Sequence, residues 1–199
     1  MVKWGQPFAV SDRARIEVAI ADAQKRTGAR LSLIVVPLSD HYSLYAPLWA
    51  AIGALIINGL AALLLPQLGI RAGYVIGASS FVILTLVFDW LPLRLRIVPA
   101  RIKLSRAQHL AHREFAVHVV GPSHERNGVL FFVSIGERYV EVLADREIHQ
   151  QVGTEAWEKV VADFLVAARE NHLVDGILVA ISQLQALLEA HCPPSTTPE

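Results

Sequence analysis

Four carboxylates surround one apolar hairpin pattern in this sequence. Glu125 stands just before "NGVLFFVSIGERYVEVLA", Asp145 and Glu147 lie at or just past its end, and Asp175 opens a later helical pattern. Several convergent carboxylates can hold a divalent ion. The same four acids equally suit a solvated acidic rim that holds nothing. Arg126 weighs against the metal, because a fixed cation among the acids weakens a cation site. Its guanidinium offers a phosphate or carboxylate a bidentate grip instead, which is binding without cleavage. Arg126, Asn127, Asp145, Arg146 and Glu147 therefore mark the expected working edge, and no resident metal or other cofactor is expected.

The histidines add little. His109 and His112 fall at i, i+3 on one helical pattern with His118 further along, a spacing compatible with a shared metal face. No HExxH and no cysteine partner supports that face, so ordinary surface histidines are expected. His124 and His149 flank the hairpin and could exchange protons with a bound phosphate. There is no GxSxG, P-loop or GxGxxG. Cys192 is the one cysteine, which excludes an intrachain disulfide and a cysteine-based metal site.

Charge is distributed unevenly about a net value of zero. Residues 94–114 carry six Lys/Arg and one acid, whereas residues 115–199 carry five basic and twelve acidic side chains. An acidic head repels phosphate backbones, so nucleic acid is not an expected partner. Between residues 41 and 93 the charges are Arg71 and Asp89 alone. That stretch holds "LYAPLWAAIGALIINGLAALLL" (44–65) and "AGYVIGASSFVILTLVF" (72–88), continued by Trp90, Leu91 and Leu93 beyond Asp89. A helix of about 20 apolar residues covers the ~30 Å hydrocarbon core of a bilayer. Pro66, Gly69 and Arg71 suit a tight turn between the two spans, and Tyr45, Trp49, Tyr74 and Trp90 lie near their ends, where amphipathic rings favour the headgroup layer.

A basic collar follows: Arg94, Arg96, Arg101, Lys103 and Arg106. The positive-inside rule then predicts a bacterial-type inner-membrane protein with both chain ends in the cytoplasm and the short loop outside. The N-terminal stretch lacks a signal peptide's apolar core, since Asp12, Arg13, Arg15 and Glu17 interrupt it. Asn58, Ser79, Ser80 and Thr85 are the polar residues within the spans, suited to bonding backbone carbonyls or one another across the hairpin.

Around the spans the pattern is that of a small α/β domain. Residues 10–28 read as a helix with Ser11 as N-cap, Ile16, Ala19, Ile20 and Ala23 on one face, and Gly28 at its end. "ARLSLIVVP" is a short strand buried on both faces. Residues 102–120 are helix-like, "VLFFVSI" is a central strand, "GE" a turn, and "RYVEVLA" an alternating strand with Val140, Val142 and Ala144 on one side. Two helices close the pattern, striped by Val160, Val161, Phe164 and Leu165, then by Ile177, Ile181, Leu184, Leu187 and Leu188.

This order, with "RTGARLSLIVVP", "NGVLFFVSIGERYVEV" and "DGILVAISQL", resembles the TPM-domain family over residues 8–40 and 103–191. The resemblance implies a small sheet of three or more strands packed by helices, here interrupted after the first strand by the membrane hairpin. An even number of spans returns the chain to the side it left, so "LSLIVVP" and "VLFFVSI" are expected to pair. The expected divisions are 8–40, 44–93, 94–191 and a disordered tail at 192–199.

Some TPM domains are described as phosphatases, so the resemblance also implies a metal-dependent phosphomonoester hydrolase, with Glu147, Asp175 and Asp145 as candidate catalytic acids and a divalent cation as cofactor. The sequence departs from the family pattern in having Arg126 where an acid is usual before Asn-Gly, and "ADREIHQQVG" where a glycine-rich stretch is usual. The first expectation is therefore a non-catalytic binding or assembly module whose partners are the lipid bilayer and another membrane or membrane-associated protein. The phosphatase is the alternative.

Overall fold

The structure is a computed structural model describing residues 2–4, 8–27, 29–40, 42, 44–67, 69–90, 98–120, 127–170 and 172–193. Arg94, Arg96, Glu125, Arg126, His124, Gly28, Leu91, Leu93 and the tail residues 194–199 lie outside the described residues. The chain divides into two compact units, residues 1–39 with 106–199, and residues 40–105.

The first unit is α/β. Its elements are β1 (Val2–Trp4), α1 (Val10–Arg26), β2 (Arg30–Val36), the latter part of α4 (Ala100–Phe115), a π-helical turn (Ala116–Val120), β3 (Gly128–Ser134), β4 (Tyr139–Ala144), α5 (Arg146–Val152), α6 (Thr154–Arg169) and α7 (Leu173–His191). The four strands form one mixed sheet in the order β1-β2-β3-β4. β2 and β3 pair in parallel from Arg30↔Gly128 to Val36↔Ser134, although 91 residues lie between the two strands. A parallel pair always needs a long crossover, and here it contains the whole second unit and α4. β4 returns antiparallel along β3.

Strand periodicity explains why β2 and β3 read as unbroken apolar runs. Successive side chains point to opposite faces, and both faces are covered. Leu31, Leu33 and Val35, with Val129, Phe131 and Val133, belong to the larger core under α1, α6 and α7; Val140, Val142 and Ala144 pack at its margin. Phe131 meets Phe164 edge-on, ring centroids 5.3 Å apart. Ile34, Leu130 and Phe132 point the other way, against Ala111 and Val119. On α7 the glycine of Asp175-Gly176 has a packing role: a Cβ there would lie 2.9 Å from that of Ala167 on α6.

Two local expectations are corrected, and two elements are added to those expected. Ser11 is inside α1 rather than its cap, because the Ala9 carbonyl already accepts the amides of Asp12 and Arg13. β1 is an additional strand along β2. The β3–β4 connection is a four-residue turn, Ile135–Arg138, with Arg138 at φ 53°, rather than a two-residue "GE" turn. Residues 146–152 form a helix, anchored by buried Ile148 and ended by Gly153 at φ 83°.

The second unit contains α2 (Tyr45–Leu64) and α3 (Ile70–Asp89), packed against one another. Gly53 faces Leu84 and Asn58 faces Gly73 and Gly77, so the helices run antiparallel with small residues at the seam. A Cβ on Gly77 would come 3.2 Å from the Asn58 amide nitrogen. Thr85 donates its hydroxyl to the Phe81 carbonyl at 2.7 Å, which satisfies a polar group inside an apolar helix. Ala46, Ala50 and Ala54 are buried on α2, and no residue of α3 is.

Candidate functional site at the mouth of strands three and four

Asn127 and Gly128 open β3 in a crowded corner. A Cβ on Gly128 would sit 1.9 Å from Val119 Cγ1, so glycine is required by close approach. The Gly128 amide donates to Asp145 Oδ2 at 2.8 Å, and the Asp145 amide donates back to the Gly128 carbonyl at 3.0 Å. The Asn127 carbonyl accepts the Arg30 amide at 2.9 Å. Three segments distant in sequence are thus tied at one point. Asp145 also stands at the N-cap position of α5, where its carbonyl accepts the His149 amide. Its carboxylate works as a clamp on the backbone.

The remaining acids go elsewhere. Arg146 and Glu147 are exposed on the first turn of α5. Asp175 lies on α7, its carboxylate 68% exposed and 3.6 Å from the Arg15 guanidinium of α1. Asp145, Glu147 and Asp175 therefore have three different environments, and among the described residues no three His, Cys, Asp or Glu side chains are grouped to hold a metal ion.

The histidines divide as well. His112 lies 3.5 Å from Glu141 on β4, His118 lies 3.1 Å from Glu114, and His109 is exposed. Glu141 in turn accepts the Tyr139 hydroxyl at 2.8 Å. Burial, then the hydrogen bond and the charge of Glu141, push the Tyr139 phenol far above its ordinary range, so it stays protonated. His149 is exposed on α5.

Two acids that the spacing of residues did not single out carry structural tasks. Glu114 is buried on α4 beside His118. Glu137, in the β3–β4 turn, accepts the Ser39 amide at 2.9 Å and the hydroxyl of buried Ser134, which itself accepts the Ser39 hydroxyl at 3.0 Å. Gly136 donates its amide to the Pro37 carbonyl at 2.9 Å, and a Cβ on it would be 2.4 Å from Leu38 Cδ2. The turn thus grips residues 37–39 just before the second unit begins. Alternation and apolarity describe the strands on either side of this turn and say nothing of a partner nearly a hundred residues away.

No protein-family profile and no curated protein matches the chain. Among solved structures it is similar to the NMR structure of the BA42 protein from the psychrophilic bacterium Bizionia argentinensis. The two are 12% identical, with a TM-score of 0.58 over 98% of this chain and 90% of that one. At that identity the likeness concerns the fold alone.

Proposed function

We propose that the chain is a two-span protein of a bacterial-type inner membrane, with α2 and α3 as the spans, both chain ends cytoplasmic, and a TPM-like α/β domain serving as a non-catalytic binding or assembly module for a membrane or membrane-associated protein. The observation that carries this reading is α3. It is 20 residues long and apolar enough to cross a membrane, yet none of it is buried within the protein. Ile70, Tyr74, Val75, Val82, Ile83, Leu86 and Trp90 are all more than half exposed. Soluble proteins rarely expose contiguous apolar patches beyond a few hundred Å². Arg101, Lys103 and Arg106 on the first turns of α4 belong to the collar that favours the cytoplasmic side.

The binding role draws support from the dispersal of Asp145, Glu147 and Asp175 and from exposed Arg146 beside the Asn127–Asp145 clamp. Purified full-length protein in detergent is expected to leave p-nitrophenyl phosphate intact with or without Mg²⁺ or Mn²⁺. Metal-dependent hydrolysis abolished by Glu147→Gln and Asp175→Asn would favour the phosphatase alternative.

A further inference from the structure

Among the described residues β4 is an edge strand that carries no lysine, proline or bulge. Sheet edges are commonly blunted by lysine, proline, a bulge or a covering element. β4 reads Tyr-Val-Glu-Val-Leu-Ala, with regular pairing throughout and one charge. That charge, Glu141, is turned to Tyr139 and His112 on the α4 side.

The phase of the ladder says which backbone groups remain free. Antiparallel pairs alternate between bonded and non-bonded positions. The Asp145 amide bonds the Gly128 carbonyl, so Leu143, Glu141 and Tyr139 bond inward to β3, and Val140, Val142 and Ala144 face their N–H and C=O groups outward. Among the described residues no other backbone group pairs with these three.

An apolar groove of about 330 Å³ runs beside this edge. Val140 and Val142 line one side, and Trp157, Val161 and Leu165 of α6 line the other. Trp157 is 5% exposed, and its indole N–H is buried without an acceptor. The ionisable residues lining the groove are Glu141, Glu158 and His149, with no lysine or arginine among the described residues.

We infer that β4 and α6 form a docking groove for an extended segment of a partner protein, added as a fifth strand beside β4, with apolar side chains at alternate positions and lysine or arginine between them. Strand addition supplies main-chain bonds to Val140 and Val142. The strand pleat sends every second ligand side chain toward Trp157, Val161 and Leu165, and the intervening ones toward the face of Glu141, where an opposite charge across the strands is favourable. Glu158, exposed on α6 at the groove rim, favours the same cationic ligand. The inference shares with the proposed function the reading that the domain binds a protein, and it names a surface apart from the Arg146–Glu147 edge.

The test uses full-length protein in detergent and the labelled peptide Ac-Lys-Val-Thr-Val-Lys-Val-Thr-amide, followed by fluorescence anisotropy and by amide exchange resolved to single residues. Without peptide, the Val140 and Val142 amides are expected to exchange fast and those of Glu141 and Leu143 slowly. Saturating peptide should slow Val140 and Val142. Val142→Pro removes an outward N–H and spares the β3 ladder, so it should weaken binding by about tenfold or more. Glu158→Lys should weaken it through charge alone and cannot disturb the core.

Unchanged exchange at Val140 and Val142 under saturating peptide would overturn the groove. So would binding that ignores Val142→Pro and Glu158→Lys but falls with Arg146→Ala or Glu147→Ala; that outcome would keep the binding module and move its surface. Loss of a dimer on Val142→Pro, seen by light scattering, would overturn the peptide in favour of a second copy of this chain.

Discussion

α3 and α7 are alike in length and apolarity and opposite in burial. Both are long and apolar enough to span a bilayer, at 20 and 19 residues. None of α3's most apolar window is buried, whereas a third of α7's is, including Ile177, Ile181, Leu184 and Leu188 at or near zero exposure. The difference lies in what interrupts each helix. α7 carries Asp175, Gln183, Gln185 and Glu189, with Gln183 bonded to Asp163 of α6 and Gln185 to Glu189. α3 carries no charge between Arg71 and Asp89. α7 turns an apolar face to the core and a polar one outward, whereas α3 exposes apolar side chains. Apolar length alone does not identify a span.

The largest expected effect tests that contrast directly. Leu184→Ala on α7 empties a fully buried site and should destabilise the α/β domain by about 2–5 kcal/mol, read by urea unfolding. The same truncation at Leu86 on α3, 71% exposed, should leave the domain's midpoint unchanged. Next, Val82→Arg near the middle of α3 should cost about 2.5–3.5 kcal/mol of membrane insertion and shift protein out of the carbonate-washed membrane fraction. Normal retention would break the comparison.

Smaller effects sharpen the picture of the α/β unit. Gly128→Ala forces a methyl toward Val119 and should cost roughly 1–3 kcal/mol in the same unfolding assay. Glu137→Gln removes one of the acceptors that fasten Ser39 and Ser134, an expected loss on the order of 1–2 kcal/mol, accompanied by faster exchange of the Ser39 amide.

Much of the fold was legible because its signals are local. Apolar runs give β2 and β3, alternation gives β4, and helical spacing gives α1, α6 and α7. β1 was missed because a three-residue strand has no period to read. α5 was missed because about two helical turns with one buried apolar residue, Ile148, hold no repeat to read. The site was less legible for a different reason. A carboxylate's task depends on its partner, and those of Asp145, Asp175 and Glu137 lie 17, 160 and 98 residues away, at Gly128, Arg15 and Ser39. Asp145, Glu147 and Asp175 are grouped in the sequence reading, whereas in the fold Asp145 holds Gly128, Asp175 lies by Arg15 and Glu147 is exposed. The groove beside β4 was invisible for the same reason, since Val161 and Leu165 look like core residues until the helix is seen to leave them half covered.

Topology is the central claim, and single-cysteine labelling tests it most directly. Cys192 itself is a poor reporter: it is half buried, burial raises its thiol above the ordinary range, and Gln151 accepts its hydrogen bond. Raising the pH should therefore be needed to speed its alkylation, because only the thiolate reacts. With Cys192→Ser as background, Gln67→Cys places a thiol in the exposed α2–α3 loop and Lys159→Cys places one on the exposed side of α6. A membrane-impermeant maleimide should label the first in intact cells and the second only in inverted vesicles. Labelling at Lys159→Cys in intact cells, with Gln67→Cys protected until the vesicles are inverted, would contradict the cytoplasmic domain.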